Sequence, residues 1–341
     1  MGDVMKTRVD SRRPEHLSAV RQALWKMPRA TRAQLSESTG LSAMTVGKLL
    51  AVMQERGEVR QDETQRGAGG RPSMIAQYNA DYAHFAVVVV EQENGKSAFT
   101  LSVHNLLGEA AYEEKRLMEE VCEDSFDAFF AEMATEYHLE LAVFVLPGVA
   151  AGDRILSCDL QALADGQLLQ RIKQRFGIEV LFENDVNGAV FGHAFGETKQ
   201  GVFAGLYFPQ NYCPGAGVVI DGEILYGTGH FAGEIGYIQG IDAWMSLDYN
   251  NIGKTAAMIS QLLTIYCCTT APRHIVLYGD FFTPELEREI AGQLDKRLLG
   301  NFAPGISTKK TLTQDMQRGA VRLGLRRMRA ILDQRDESKE G

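Results

Sequence analysis

The order of secondary-structure signals constrains this chain most, because the same order runs through it twice. An apolar run at 84–91 (HFAVVVVE) precedes strand candidates at 98–104 and 109–117, a helical stretch at 124–137 and a buried-strand pattern at 141–146. The series returns with strands at 201–208, 215–220 and 223–226, a helix over 251–269 and a strand at 274–277. Asn94-Gly95 in the first copy and Asp221-Gly222 in the second are dipeptides that accept positive φ and close tight hairpins. Two such copies predict a body over residues 81–341 built as two lobes around a cleft, where small molecules usually bind. A chain of 341 residues is too long for one ordinary domain, so the first 80 residues are read separately.

Charge supports that division. Residues 1–80 carry 13 Lys and Arg against 8 Asp and Glu, whereas the rest carries 22 against 36, for a net charge of −9. A basic head on an acidic body suits a nucleic-acid-binding module joined to a sensor. Within a head spanning 11–80, Pro14 opens a helix with Leu17, Val20, Leu24 and Met27 on one face, and Pro28 ends it. Thr31 and Gln34 form a capping-box pair for a short helix that closes at Gly40. Ser42 then caps a helix over 43–56 whose buried stripe is Val46, Leu49, Leu50 and Met53. Met44, Lys48 and Ala51 face the other way, with Thr45 and Gly47 on the flanks. Exposed side chains near the start of a second helix are those that a helix-turn-helix places in the major groove. Thr31, Ser42, Met44, Thr45, Gly47 and Lys48 are therefore the candidate DNA contacts; a small helical hairpin of another kind has the same pattern. After Gly57, a strand at 58–60, a flexible tip at 61–73 and a returning strand at 74–78 complete the order of a winged helix.

No apolar run approaches the roughly 20 residues of a membrane span, and no apolar segment follows the basic start, which points to the cytoplasm. The five cysteines are scattered without a CxxC pair, so neither a disulfide framework nor a zinc site is expected.

At this point several segments resemble the ROK family (repressors, open reading frames and kinases). In the head these are RATRAQLSESTGLSAMTVGKLLAVMQERGEV and GAGGRPSMIAQYNAD, including the step Gly70-Arg71-Pro72. Arg71, extended before a proline and freed by glycines, suits a narrow minor groove, although a plain linker would read alike. In the body, Leu146-Pro147-Gly148-Val149, Phe182-Glu183-Asn184-Asp185-Val186-Asn187-Gly188-Ala189, GAGVVIDGEILYGTGHFAGEIGYI and Arg318-Gly319-Ala320 carry the likeness. The resemblance implies a winged helix-turn-helix followed by a duplicated actin-like (ribonuclease H-like) two-lobe domain. It also implies that Asn184 and Asp185 hold sugar hydroxyls, with Glu234 a further contact; in the family's kinases the Asp is the catalytic base. A strand-to-helix corner with an N-cap is the other reading of Asn184-Asp185.

The departures from the family pattern bear on activity. Where its kinases carry Asp-x-Gly-Gly-Thr, this chain has Glu91 through Ser97, with two glutamates that repel phosphates. The second phosphate turn reads Tyr212-Cys213-Pro214-Gly215-Ala216-Gly217, and the adenosine-side turn Tyr278-Gly279-Asp280. Tyr237 replaces the family's zinc-site histidine, and no cysteine run follows it. The sequence thus predicts a non-enzymatic regulator, a repressor in the leading reading, without metal or cofactor. Its expected partners are a double-stranded DNA operator, a sugar or sugar-phosphate effector, and a second copy in a homodimer or tetramer. A body that serves only as a dimerisation or docking scaffold, and an active ATP-dependent sugar kinase, are the alternatives. Trp244 and Tyr249 are expected in the core or stacked on a ligand, and the arginines at 318, 322, 326, 327 and 329 on a solvated or lobe-packing face.

Overall fold

The computed structural model describes residues 13–338 apart from 66–72, 94–95, 198–199, 210–212, 239–243, 245–246 and 301. The Asn94-Gly95 turn and Arg71 lie outside the described residues. The head consists of α1 (Arg13–Lys26), β1 (Arg29–Thr31), α2 (Arg32–Thr39), α3 (Ala43–Glu55), β2 (Val59–Gln65) and β3 (Ser73–Tyr78). Its caps are as the sequence predicts. Thr31 accepts from Gln34 N while the Gln34 side chain accepts from Thr31 N, Gly40 takes φ 70°, and Ser42 Oγ accepts from Thr45 N. Two features differ from expectation. Strand β2 continues to Gln65, so residues 61–65 extend a hairpin where a flexible tip was expected, because pairing with β3 outweighs their polar composition. Strand β1 was not anticipated; three residues are too few for a periodic pattern, yet they pair antiparallel with Ile75–Gln77 and give the order β1-β3-β2.

The first lobe holds β4 (His84–Glu93), β5 (Lys96–Asn105), β6 (Ala110–Met118), α4 (Asp127–Glu136), β7 (Leu139–Leu146), the hairpin β8 (Gly148–Ala151) and β9 (Arg154–Cys158), α5 (Leu168–Phe176) and β10 (Glu179–Asn184). The second holds α6 (Asp185–Glu197), β11 (Val202–Tyr207), β12 (Gly215–Ile220), β13 (Glu223–Ile224), α7 (Ile252–Thr270), β14 (His274–Tyr278), α8 (Pro284–Leu298), β15 (Gly305–Lys309) and α9 (Thr313–Ser338). The sheets run β6-β5-β4-β7-β10 and β13-β12-β11-β14-β15. In each, the first three strands are antiparallel neighbours, and the fourth and fifth add in parallel. The duplication read from element order is therefore a duplication of topology. Asp221 (φ 50°) and Gly222 (φ 83°) make the tight turn expected of them.

Outer helices α4 and α5 pack the far face of the first sheet, and α7 and α8 that of the second. Between the sheets lie α6, against β11 and β12, and α9, against β4 and β7. These two helices cross at glycines. A Cβ on Gly192 would overlap the Asp315 carbonyl, and one on Gly319 the Gly188 carbonyl. Backbone thus meets backbone, and one hydrophobic cluster runs from both sheets through the crossing into the head.

The far end of α9 holds the head. Arg21, 1% exposed, donates to Glu58 (3.0 Å), Asp333 (2.7 Å) and Asp336 (2.8 Å). Arg56 joins the cluster through Asp336, and Ser18 Oγ donates to Asp333 at 2.9 Å. Burial opposes the charge on Arg21, but Glu58 and Asp336 overcome it and hold the guanidinium pKa above its ordinary value. Arg329 lies over the Trp25 ring at 4.5 Å. The basic face of α9 is thus partly a packing surface, with Arg327 on Glu179 and Arg326 on Glu223.

Gly319→Ala should lower stability by about 2–4 kcal/mol, because the helices must part to admit a methyl group. Gly292→Ala, in the open interior of α8, should be neutral or gain up to about 1 kcal/mol in the same urea titration. Arg21→Ala should cost about 3–5 kcal/mol by leaving buried carboxylates unpaired, and amide exchange should quicken in α1 and the last turns of α9 together.

Candidate functional site

Two places collect the sequence-predicted residues. The first is the outward face of α3. Its stripe Val46, Leu49, Leu50 and Met53 is buried against the head core, which turns Met44 (74% exposed) and Lys48 to solvent. Ser42 and Thr45 form the adjoining N-terminal corner, their hydroxyls 2.9 Å apart. Thr31 is engaged in its capping box, one helix back. Gly47 has a role the sequence did not disclose: the Arg32 guanidinium lies over it, about where a Cβ would begin to crowd. Arg32 is exposed and brings a second cation to the α3 face. It heads α2 rather than α3, so helical periodicity within α3 could not find it.

The second place is the end of β10. Asn184 sits where strand becomes helix, and its side chain is fully engaged. Oδ1 accepts from Val186 N (3.0 Å) and Asn187 N (3.2 Å), and Nδ2 donates to the Gly148 carbonyl at 3.2 Å. It caps α6, as the corner reading had it. Asp185 is buried; its Oδ1 accepts from Val186 N, and desolvation pushes its pKa up to about 7. Glu234 is exposed at the rim of the same pocket, raised in pKa by its partial burial and by Asp159.

The pocket itself is lined by Glu183, Asn184, Asn187, Tyr226, His230 and Glu234, with β8 as its back wall. Asp185 stands behind this lining. Glu183, which the sequence reading quoted but did not single out, accepts from Tyr226 Oη at 2.6 Å and Asn187 Nδ2 at 3.2 Å. Burial raises its pKa against those bonds. Asn187 Oδ1 is buried and accepts no hydrogen bond among the described residues, so it offers a place for a hydroxyl donor. The free space is about 80 Å³, well under the ~300 Å³ at which small-molecule pockets usually begin.

Carboxylates dominate the surroundings. Burial raises the Tyr207 hydroxyl to about 12, assisted by the fields of Asp185, Glu91, Asp280 and Asp159. Trp244, 1% exposed, packs on Phe208 at 4.8 Å and on Tyr249 at 5.6 Å, so this part of the second lobe is held by an aromatic core. Tyr237 is 79% exposed and lies beside Phe231.

Comparison with known proteins fits this geometry. The sequence model of the ROK family matches residues 93–246. The chain carries a ROK family domain. It is 25% identical to the xylose repressor of Bacillus subtilis (strain 168) over 64% of this chain and 57% of that protein. It is 34% identical to the N-acetyl-D-glucosamine kinase of Photobacterium profundum over 30% of this chain and 35% of that enzyme. The match thus spans little more than half the length of the repressor. Among solved structures, a ROK family transcriptional regulator, homologue of the E. coli MLC protein, superposes with TM-score 0.60 at 16% identity, covering 93% of this chain and 99% of that one. The fold of that regulator is therefore shared along almost the whole length, and the two-lobe body has the ROK actin-like fold. No helix among the described residues is long and apolar enough to cross a membrane.

The raised pKa of Asp185 carries a pH signature. Between its ordinary 3.8 and about 7 the folded state binds a proton that the unfolded state releases. Stability from this group is therefore present below about pH 4 and lost as pH rises through 7. Asp185→Asn should remove that loss, moving the variant up relative to the wild type by roughly 2–4 kcal/mol between pH 4 and 8. Urea midpoints at the two pH values read it directly; parallel curves would mean that Asp185 is ionised throughout.

Proposed function

We propose that this chain is a DNA-binding transcriptional regulator, of repressor type, acting in the cytoplasm. Its head is a winged helix-turn-helix that reads an operator through α3, and its two-lobe body senses a sugar or sugar-like effector. The observation that carries this reading is the α3 face: an apolar side chain, Met44, flanked by Lys48 and Arg32 at the helix end that a helix-turn-helix inserts in the major groove. Met44 suits a thymine methyl, and the two cations suit phosphates or a guanine edge. The relationship to a xylose repressor points the same way. An operator with two-fold symmetry calls for a dimer, or a tetramer of such pairs.

The pocket at Asn184, Asn187, Glu183 and Glu234 is the effector site in this reading. Asn187 Oδ1 and the exposed Glu234 carboxylate are the acceptors offered to ligand hydroxyls, since the oxygens of Asn184 and Glu183 are already bonded. Phosphoryl transfer is absent from the proposal despite the relationship to an N-acetyl-D-glucosamine kinase. Glu91, Asp159 and Asp280, whose fields act on Tyr207, disfavour a triphosphate, and each nucleotide turn departs from the family's glycine pattern. One observation favours a second reading, in which the body is a dimerisation scaffold. The pocket bonds to itself, Tyr226 to Glu183 and Asn184 to Gly148, and leaves only about 80 Å³.

Two measurements separate the readings. In fluorescence anisotropy with duplex DNA, the slope of log affinity against log salt should fall by about one for each of Lys48→Ala and Arg32→Ala. Wild-type slope and affinity in both variants would sink the head assignment. In melting experiments with xylose, N-acetyl-D-glucosamine and other sugars, one should raise the midpoint, and Glu234→Gln should cancel the rise. Silence from every sugar would favour the scaffold, and sugar-dependent ATP hydrolysis would restore the kinase.

A further inference from the structure

A cavity roomier than the signature pocket lies away from it. It is a groove of about 580 Å³ between α9 and the outer strands of the first sheet, a size within the ~300–1,000 Å³ of ordinary ligand pockets. Its origin follows from the fold. Helix α9 packs mainly on β4 and β7 and reaches β5 through Gln317, whose Nε2 donates to Thr100 Oγ1 at 3.2 Å. On β5 that face carries Ser102 and His104, buried polar residues that bond to each other at 2.9 Å and line the groove. The other wall is one stripe of α9: Gln314, Gln317, Arg318, Val321, Arg322 and Leu325, spaced at helical intervals. The cleft signature has no residue in it.

The wall is chemically selective. Arg318, which also meets the Asp315 carboxylate at 3.5 Å, and Arg322 place two guanidinium groups beside Glu113, and burial keeps His104 on the neutral side by lowering its pKa. Arg322 is half-buried, and desolvation draws its pKa down to about 10, so an anion would find it poorly hydrated. Gln314 adds an exposed amide in the first turn of α9, at the positive end of the helix dipole. Val87, Leu107, Val321 and Leu325 supply an apolar floor.

We propose that this groove binds a small anionic metabolite, its phosphate or carboxylate held by Arg318 and Arg322 and its less polar body against Val321 and Leu325. The binding stands apart from the reading of the head; only its consequence rests on that reading. One turn beyond Leu325, the same helix carries Arg329 on Trp25. One to two turns further, Asp333 and Asp336 hold Arg21. A ligand in the groove touches the element that sets the head's orientation, and it does so from a place independent of the sugar signature.

The test is calorimetry and thermal melting of the full chain with inorganic phosphate, glucose 6-phosphate and benzoate, and with glucose as the uncharged twin. At least one anion should bind with a dissociation constant below about 1 mM, and glucose should not reproduce its effect. Phosphate or glucose 6-phosphate alone would identify a phosphate site, benzoate alone a carboxylate site. Arg322→Gln should weaken the binding about tenfold or more. Gln314→Glu, an exposed change that leaves packing alone, should weaken it severalfold by adding a negative charge at the rim, which covers the case of an Arg322 variant that folds poorly. Glu234→Gln, in the cleft, should leave the anion's effect in place. Failure of all three anions to bind, undiminished binding in both groove variants, or loss in Glu234→Gln instead overturns the proposal. A change in DNA affinity with the anion reads the consequence separately; its absence would refute the coupling while leaving the binding intact.

Discussion

The backbone-to-backbone crossing of α6 over α9 is the constraint on which the rest depends. Gly188 and Gly192 on one helix meet Gly319 and the Asp315 carbonyl on the other with no side chain between them. Because α6 rests on the second sheet and α9 on the first, this contact fixes how the lobes face each other. It also places the polar cluster around Asp315 at the junction. Lys309, Tyr278 and His193 bond to that carboxylate and, despite its burial, hold its pKa down at about 2. An ionised Asp315 pins the start of α9 to β14 and β15, while its other end holds the head. A 26-residue helix spans about 39 Å, so any rotation at the crossing is carried over that length to the Arg21 cluster.

Much of this was legible in the sequence where local chemistry decides the conformation. Thr31 with Gln34, Gly40 and Ser42 are caps whose hydrogen bonds reach three or four residues, and each appears in place. The first four strands of each lobe's sheet were readable from apolar runs and turn dipeptides, whereas the hairpin of β8 and β9 and the edge strands β10 and β15, short and only partly buried, were not. What escaped was non-local. Strand β1 exists only through β3, and β2 outruns its polar composition for the same reason. The pairing of Arg21 with Asp333 spans 312 positions, and no pattern in either segment announces it.

The signature around Asn184 shows a subtler limit. Asn184 and Asp185 read as ligand contacts, and of the two only Asn184 lines the pocket, beside Glu183 and Asn187, which the reading did not single out. Yet the same short run also caps α6 through Asn184, buries Asp185, and supplies Gly188 to the crossing. One motif therefore serves binding geometry and lobe geometry together. A sequence reading can name its residues but cannot apportion them, since the difference between a contact and a cap lies in which atoms are already bonded. Arg32 over Gly47 is the same lesson in the head, where the space left by a missing side chain is filled from another helix.

The fastening of the head by α9 has a consequence for biosynthesis. Arg21 and Glu58 emerge from the ribosome early, but Asp333 and Asp336 follow some 275 to 315 residues later. At translation rates of roughly 5–20 residues per second, the nascent head spends on the order of tens of seconds without them. During that interval α1 and α3 have their own core, but nothing yet fixes their direction. The orientation of the α3 face, which we propose reads DNA, is therefore one of the last things this chain acquires, and a prematurely terminated chain would carry the head without its alignment.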